Sequence, residues 1–193
     1  MLGVLVRVNV PKSFRQGIEL QAGVELMPKI RCNVNVTLSE NKIDLFEETL
    51  YDYDENYDYT NVVNHENSDI AFSPSVTGSG VISAEVWSNN NSTIGCDFVT
   101  KFVGEQFLDN TSNIDRSLPS YFVNDLSVQW STTRTNNDKI CLSIVAKNIF
   151  DKMYSANGWT YSYLFGGVDS MQTENYVFPQ AGRNGFVNLV YSF

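Results

Sequence analysis

The chain has no run of 18 apolar residues, so no transmembrane helix is expected. It has no basic surplus: 13 Lys and Arg stand against 22 Asp and Glu, a net of -9. Phosphate backbones need a basic surface, so nucleic acid is not an expected partner. Three cysteines, Cys32, Cys96 and Cys141, are odd in number and far apart. They fit neither a disulfide framework nor a zinc site and read as small strand hydrophobes. There is one histidine, His65, expected on a surface loop. With no G-x-S-x-G anywhere, nothing argues for catalysis, and no cofactor is expected. No basic stretch followed by an apolar one opens the chain, so no signal peptide is expected in it.

What the chain does have is alternation and aromatic side chains, which make up 13% of it. Ile18, Leu20, Ala22, Val24 and Leu26 alternate with polar or small residues. After a turn at Pro28-Lys29, so do Ile30, Cys32, Val34, Val36 and Leu38. This is the period of a β-strand. A second pair has Ile82, Ala84 and Val86 before a turn at Ser88 to Asn91, with Ile94, Cys96, Phe98 and Phe102 after it. A third has Phe122, Leu126, Val128 and Trp130 before a turn at Thr132 to Asp138, with Ile140, Leu142, Ile144 and Ala146 after it. The last strand places Val187, Leu189, Tyr191 and Phe193 on one face. Val4 to Asn9 reads as one more strand or as the broken start of the first.

Short turns alternate with long links. Glu40 to Asp69, Leu108 to Ser120 and Ile149 to Asn184 are expected to be long loops. Glu40 to Asp69 also holds ten carboxylates and one Lys, enough to account for the whole net charge. Long structureless loops are unusual in compact soluble domains, whereas outer-membrane barrels alternate short periplasmic turns with long extracellular loops. The charged residues Arg15, Glu19, Glu25, Arg31, Glu85, Asp97, Lys101, Glu105 and Lys147 all fall on the polar parity. That pattern suits a lipid-facing outside and a watery inside. The expected fold is therefore all-β, an antiparallel up-and-down transmembrane β-barrel, with about eight strands in this chain. Rival readings are a self-contained eight-stranded structural or adhesive barrel and a soluble β-sandwich that binds carbohydrate.

Several segments carry a resemblance. Asn9-Val10-Pro11-Lys12-Ser13-Phe14-Arg15-Gln16-Gly17-Ile18-Glu19-Leu20, Phe72-Ser73-Pro74-Ser75 and Phe107-Leu108-Asp109-Asn110-Thr111 resemble, in order, segments of TonB-dependent outer-membrane receptors. Val145 to Tyr154, with Asn148-Ile149-Phe150 at its centre, and Tyr176 to Asn184, with Pro179-Gln180-Ala181-Gly182-Arg183, continue that order. The resemblance implies that residues 1-193 are the C-terminal part of a 22-stranded barrel. The plug domain, signal peptide and earlier strands would lie outside them. It implies import of a scarce solute, such as an iron chelate or cobalamin, with energy passed through TonB. Outer-membrane lipid and the barrel-assembly machinery are the implied partners. The latter would read Val187, Leu189, Tyr191 and Phe193.

Two aromatic groups in the long links are candidates for ligand contact: Tyr51, Tyr53, Tyr57 and Tyr59, and Trp159, Tyr161 and Tyr163 with Phe165. Tyrosine suits a receptor mouth because it is apolar with one polar tip. Asp52, Asp54, Asn56 and Asp58 have the alternating oxygens of a calcium loop. However, Tyr57 replaces the required Gly and Val63 the closing Glu, so a solvated acidic loop is the default and no metal is assigned.

Overall fold

The computed structural model describes residues 10–53, 59–134 and 138–193. The candidates Asp54, Asn56, Tyr57 and Asp58, and the expected strand Val4 to Asn9, lie outside the described residues. The fold is all-β and antiparallel. One sheet holds eight strands: β1 (Ser13–Met27), β2 (Ile30–Asp52), β3 (Tyr59–Asp69), β4 (Val76–Ser88), β5 (Ser92–Val103), β8 (Tyr121–Thr133), β9 (Lys139–Lys147) and β12 (Asn184–Ser192). Its order is β1-β2-β4-β5-β8-β9-β12, with β3 paired to the upper half of β2. Two small hairpins stand outside it, β6 (Gln106–Phe107) with β7 (Ser117–Leu118) and β10 (Ser155–Tyr163) with β11 (Gln172–Pro179). The sheet is open, since β1 and β12 do not pair with each other.

Alternation within each strand becomes a continuous surface because the register keeps parity across the sheet. One row runs Val24, Cys32, Ile82, Phe98, Leu126, Ala146 and Gly185, each directly opposite the next. The row below runs Ile30, Ala84, Cys96, Val128, Ile144 and Val187. From the row of Leu38 down to the turns, this face carries no charge. Its polar members include Thr100 and Asn124, opposite each other, and Asn124 is buried. The other face carries Glu25, Arg31, Asp97, Lys101, Asp125 and Lys147. The shift in register around Val86 keeps Glu85 on that face and returns Trp87 to the apolar one, opposite Ile94.

Most of the apolar face is bare, at its edges above all. Ile18 is 62% exposed, Leu20 61%, Val187 66% and Leu189 67%. From Ile30 to Leu38 the apolar band of β2 is eight residue steps long, roughly 26 Å at about 3.3 Å per residue. Across six interstrand spacings its area is on the order of 750 Å². The largest apolar patch on a typical soluble monomer is about 300–600 Å².

The strands are also staggered. Met27 ends β1 opposite Ile30, at the level of the row that leads to Val187. On that same level β12 continues five residues further, to Ser192. Five residues over six strand steps is a tilt of roughly 30°, close to the tilt that barrel closure requires.

The buried core lies elsewhere. Ile43, Leu50, Val103, Leu108, Leu118, Tyr121 and Leu164 are the buried hydrophobic residues among those described. They gather at the end of the sheet opposite the tight turns. There, one of the expected long loops proves to be mostly strand and another to hold a hairpin. β2 runs on through Glu48 to Asp52 and returns as β3, with pairing from Lys42↔Asp69 to Asp52↔Tyr59. Ile149 to Asn184 contains the β10–β11 hairpin. Leu108 to Ser120 holds a 3₁₀ turn at Ile114–Arg116, capped where the Asn113 side chain accepts from the Asp115 N–H, followed by the short strand β7. The extended hairpin had no apolar alternation to betray it, because its buried face changes parity. Asn41 and Ile43 are buried on one side of the strand, then Leu50 and Asp52 on the other.

Candidate functional site

The β2–β3 and β10–β11 hairpins meet at this end. The Tyr53 N–H donates to the Leu164 carbonyl at 3.0 Å and the Leu164 N–H to the Tyr51 carbonyl at 2.9 Å. Between them Asp52 is 7% exposed and accepts the N–H groups of Gly166 and Gly167, one on each carboxylate oxygen, both at 2.9 Å. Both glycines have positive φ, 84° and 112°, a region side chains strongly disfavour. Asp52 therefore clamps the two hairpins together. Among the described residues no group of three His, Cys, Asp or Glu could hold a metal ion.

This junction joins the two predicted aromatic groups. The hydroxyls of Tyr53 and Tyr161 are 2.6 Å apart. Tyr53 meets Tyr163 edge-on at 5.7 Å, and Tyr161 stacks with Tyr163 at 5.6 Å. Burial, with the hydrogen bond to Tyr53, pushes the Tyr161 hydroxyl up to about 12. Tyr161 thus stays a neutral hydroxyl at physiological pH. Trp159 instead stacks on Tyr176 across the hairpin at 4.6 Å. The Tyr176 hydroxyl donates to Glu174 at 2.6 Å, which raises its pKa. Phe165 is 66% exposed. Tyr51 and Tyr59 belong to β2 and β3 rather than to a loop.

A second network was not legible in the sequence. Arg116 is 2% exposed. Its Nη1 donates to Glu48 and, at 3.0 Å, to Asp109, and its Nη2 lies 3.5 Å from the Met171 sulfur. Burial alone would lower its pKa, but the hydrogen bonds to Asp109 and Glu48 more than offset that and hold it above the usual arginine value. The other Glu48 oxygen is 2.9 Å from His65 Nε2. His65 is thus a partly buried strand residue paired with a carboxylate, not a free loop histidine. Asp109 also accepts the N–H and hydroxyl of Thr111. One arginine therefore ties together β2, the loop after β6 and the segment before β11. Only the excess of acid over base nearby could have hinted at it.

These elements enclose a cleft of about 450 Å³. Tyr51, Tyr161 and Phe46 give it rings, Glu47, Glu48 and Asp109 carboxylates, and Thr49, Thr160 and Ser162 hydroxyls. At the opposite corner of the sheet, Val187, Leu189 and Tyr191 stand exposed on β12 opposite Ile144, Leu142 and Ile140, and Phe193 follows the strand fully exposed. No protein-family model matches this chain, and no curated protein matches its sequence significantly.

Proposed function

We propose that this chain is the C-terminal part of a TonB-dependent outer-membrane receptor, and that its hairpin end forms part of the solute-binding mouth. The observation that carries the reading is the largely bare, charge-free apolar face, about 26 Å long on β2 and so roughly 23 Å tall at a tilt of about 30°, continuous over seven staggered strands. Outer-membrane barrels carry an outward apolar band of about 25 Å. Lipid requires every strand to pair, so this reading places further barrel strands against the free edges of β1 and β12. A soluble β-sandwich would need a second layer over the same face, and none of the described residues supplies it. The tight turns at one end and the aromatic, acidic hairpins at the other fit periplasmic and extracellular sides. The order of the receptor-like segments supports the same assignment. The role is binding and transport of a scarce solute, an iron chelate or cobalamin in the family's pattern, rather than catalysis. Energy would come from TonB through a plug outside this chain.

The test is folding in detergent. The chain refolded into micelles is expected to gain β-sheet circular dichroism and to migrate differently on a gel before and after boiling. A folded monomer in buffer without detergent would contradict the reading.

A further inference from the structure

We infer that the cleft at the hairpin end selects organic cations and turns anions away; this deepens the receptor reading and rests on it for the cleft's role. The argument starts from charge that is already spent. The basic residues of the segments that build the cleft are Lys12, Lys42 and Arg116. Lys12 is paired with Asp44 at 2.6 Å and Lys42 with Asp69 at 2.9 Å, while Arg116 is shared between Glu48 and Asp109. The β10–β11 hairpin contributes no Lys or Arg at all. Among the described residues, therefore, no unpaired Lys or Arg faces the cleft. Glu47 lines it, is exposed, and takes part in none of the hydrogen bonds or ion pairs described above. Of the three lining carboxylates, Glu48 is held by Arg116 and His65 and Asp109 shares Arg116, which leaves Glu47 with no cation beside it among the described residues.

The neutral part of the lining points the same way. Tyr51 and Tyr161 line the cleft, and an aromatic ring attracts a cation the more as water is excluded. A carboxylate or phosphate would find hydroxyl donors but would sit against unneutralised acid, within the range where charges in a low-screening cleft repel. A volume of about 450 Å³ suits a small organic molecule with an apolar or hydroxylated body and an ammonium or guanidinium group.

Equilibrium dialysis of the folded chain tests this with three probes: phenyltrimethylammonium, benzoate and maltotriose. Micelles without protein give the background, and the chain is used in whichever medium, micelle or buffer, it folds. Phenyltrimethylammonium is expected to be retained with a dissociation constant of about 1 mM or tighter, the scale for a ligand of this size. Benzoate is expected not to bind. Glu47→Gln should weaken cation retention about fivefold, as should raising the salt tenfold, and Tyr51→Ala should weaken it further. Glu47 and Tyr51 are exposed, so neither change disturbs the core. Absence of cation retention, retention of benzoate or maltotriose at equal or greater strength, or an unchanged value in both variants would overturn the inference. A chain that folds only in micelles yet prefers maltotriose loses the inference and keeps the receptor reading. A chain that folds in buffer and retains the cation does the reverse.

Discussion

Tyr53 and Tyr161 lie 108 positions apart and join their hydroxyls at 2.6 Å. The pairing holds the end of β2 against β10, two segments that no strand of the main sheet connects directly. Its pH dependence follows from the direction of the Tyr161 shift. The unfolded phenol titrates near 10 and the folded one at about 12. The folded state therefore favours the neutral form. Its contribution is complete below pH 10 and disappears as pH rises through 12. Ultraviolet titration of the phenolates should show Tyr161 ionising last, together with loosening of β10–β11 in hydrogen exchange. Tyr161→Phe should remove that late step and lower hairpin protection by about 1 kcal/mol.

Arg116 should matter far more than its place on a loop implies. Arg116→Met leaves the partly buried Glu48 and Asp109 without their guanidinium, at a cost of about 3 kcal/mol. Arg116→Lys should recover only part of this, because one ammonium cannot reproduce the guanidinium fork. Limited proteolysis at Leu108 to Ser120 would report the loss, while the β1–β2 and β8–β9 pairs should stay protected. Equal damage throughout the sheet would show that the network is not local.

Asp52→Asn keeps the volume but replaces one acceptor oxygen with a donor, facing the Gly166 or Gly167 N–H. It should release the Gly166–Gly167 turn and cost about 1–3 kcal/mol of local stability. Exchange of the Gly166 and Gly167 amides is the direct measure. Added calcium should rescue neither the variant nor the parent if Asp52 is a clamp. Rescue would restore the calcium reading.

The faces of β12 make a paired prediction. Leu189→Arg should cost about 2–4 kcal/mol in lipid vesicles, and Asn188→Arg about 1 kcal/mol or less, since neighbouring residues point to opposite faces. Chemical denaturation in vesicles compares them. Equal costs would contradict the lipid-facing assignment.

The strands of the main sheet were readable because lipid-like and water-like residues alternate in them. Ile18 to Leu26, Ile140 to Ala146 and Val187 to Tyr191 announce their faces by chemistry alone, and the turns at Pro28-Lys29 and at Ser88 to Asn91 fall where expected. The hairpins were not readable in the same way. Glu47-Glu48-Thr49 and Tyr59-Thr60-Asn61 present polar groups on both sides, so periodicity says nothing about them. Trp159-Thr160-Tyr161-Ser162-Tyr163 alternates ring with hydroxyl, the period of a strand, inside what aromatic content alone marks as a loop. Nothing local could reveal that Asp52 would bind Gly166, or Arg116 reach Glu48 across 68 positions. Those contacts exist only once distant hairpins are stacked.

The three tryptophans test the central claim most directly. Trp130 sits on the apolar face between Ile94 and Leu142, Trp87 lies on that face opposite Ile94, and Trp159 stacks on Tyr176 in the outer hairpin. Single-tryptophan variants in vesicles with brominated acyl chains should show strong quenching of Trp130 and Trp87. Trp159 should answer only to an aqueous quencher. If all three respond to the aqueous quencher alike and none to the brominated chains, the apolar face does not meet lipid and the receptor reading fails.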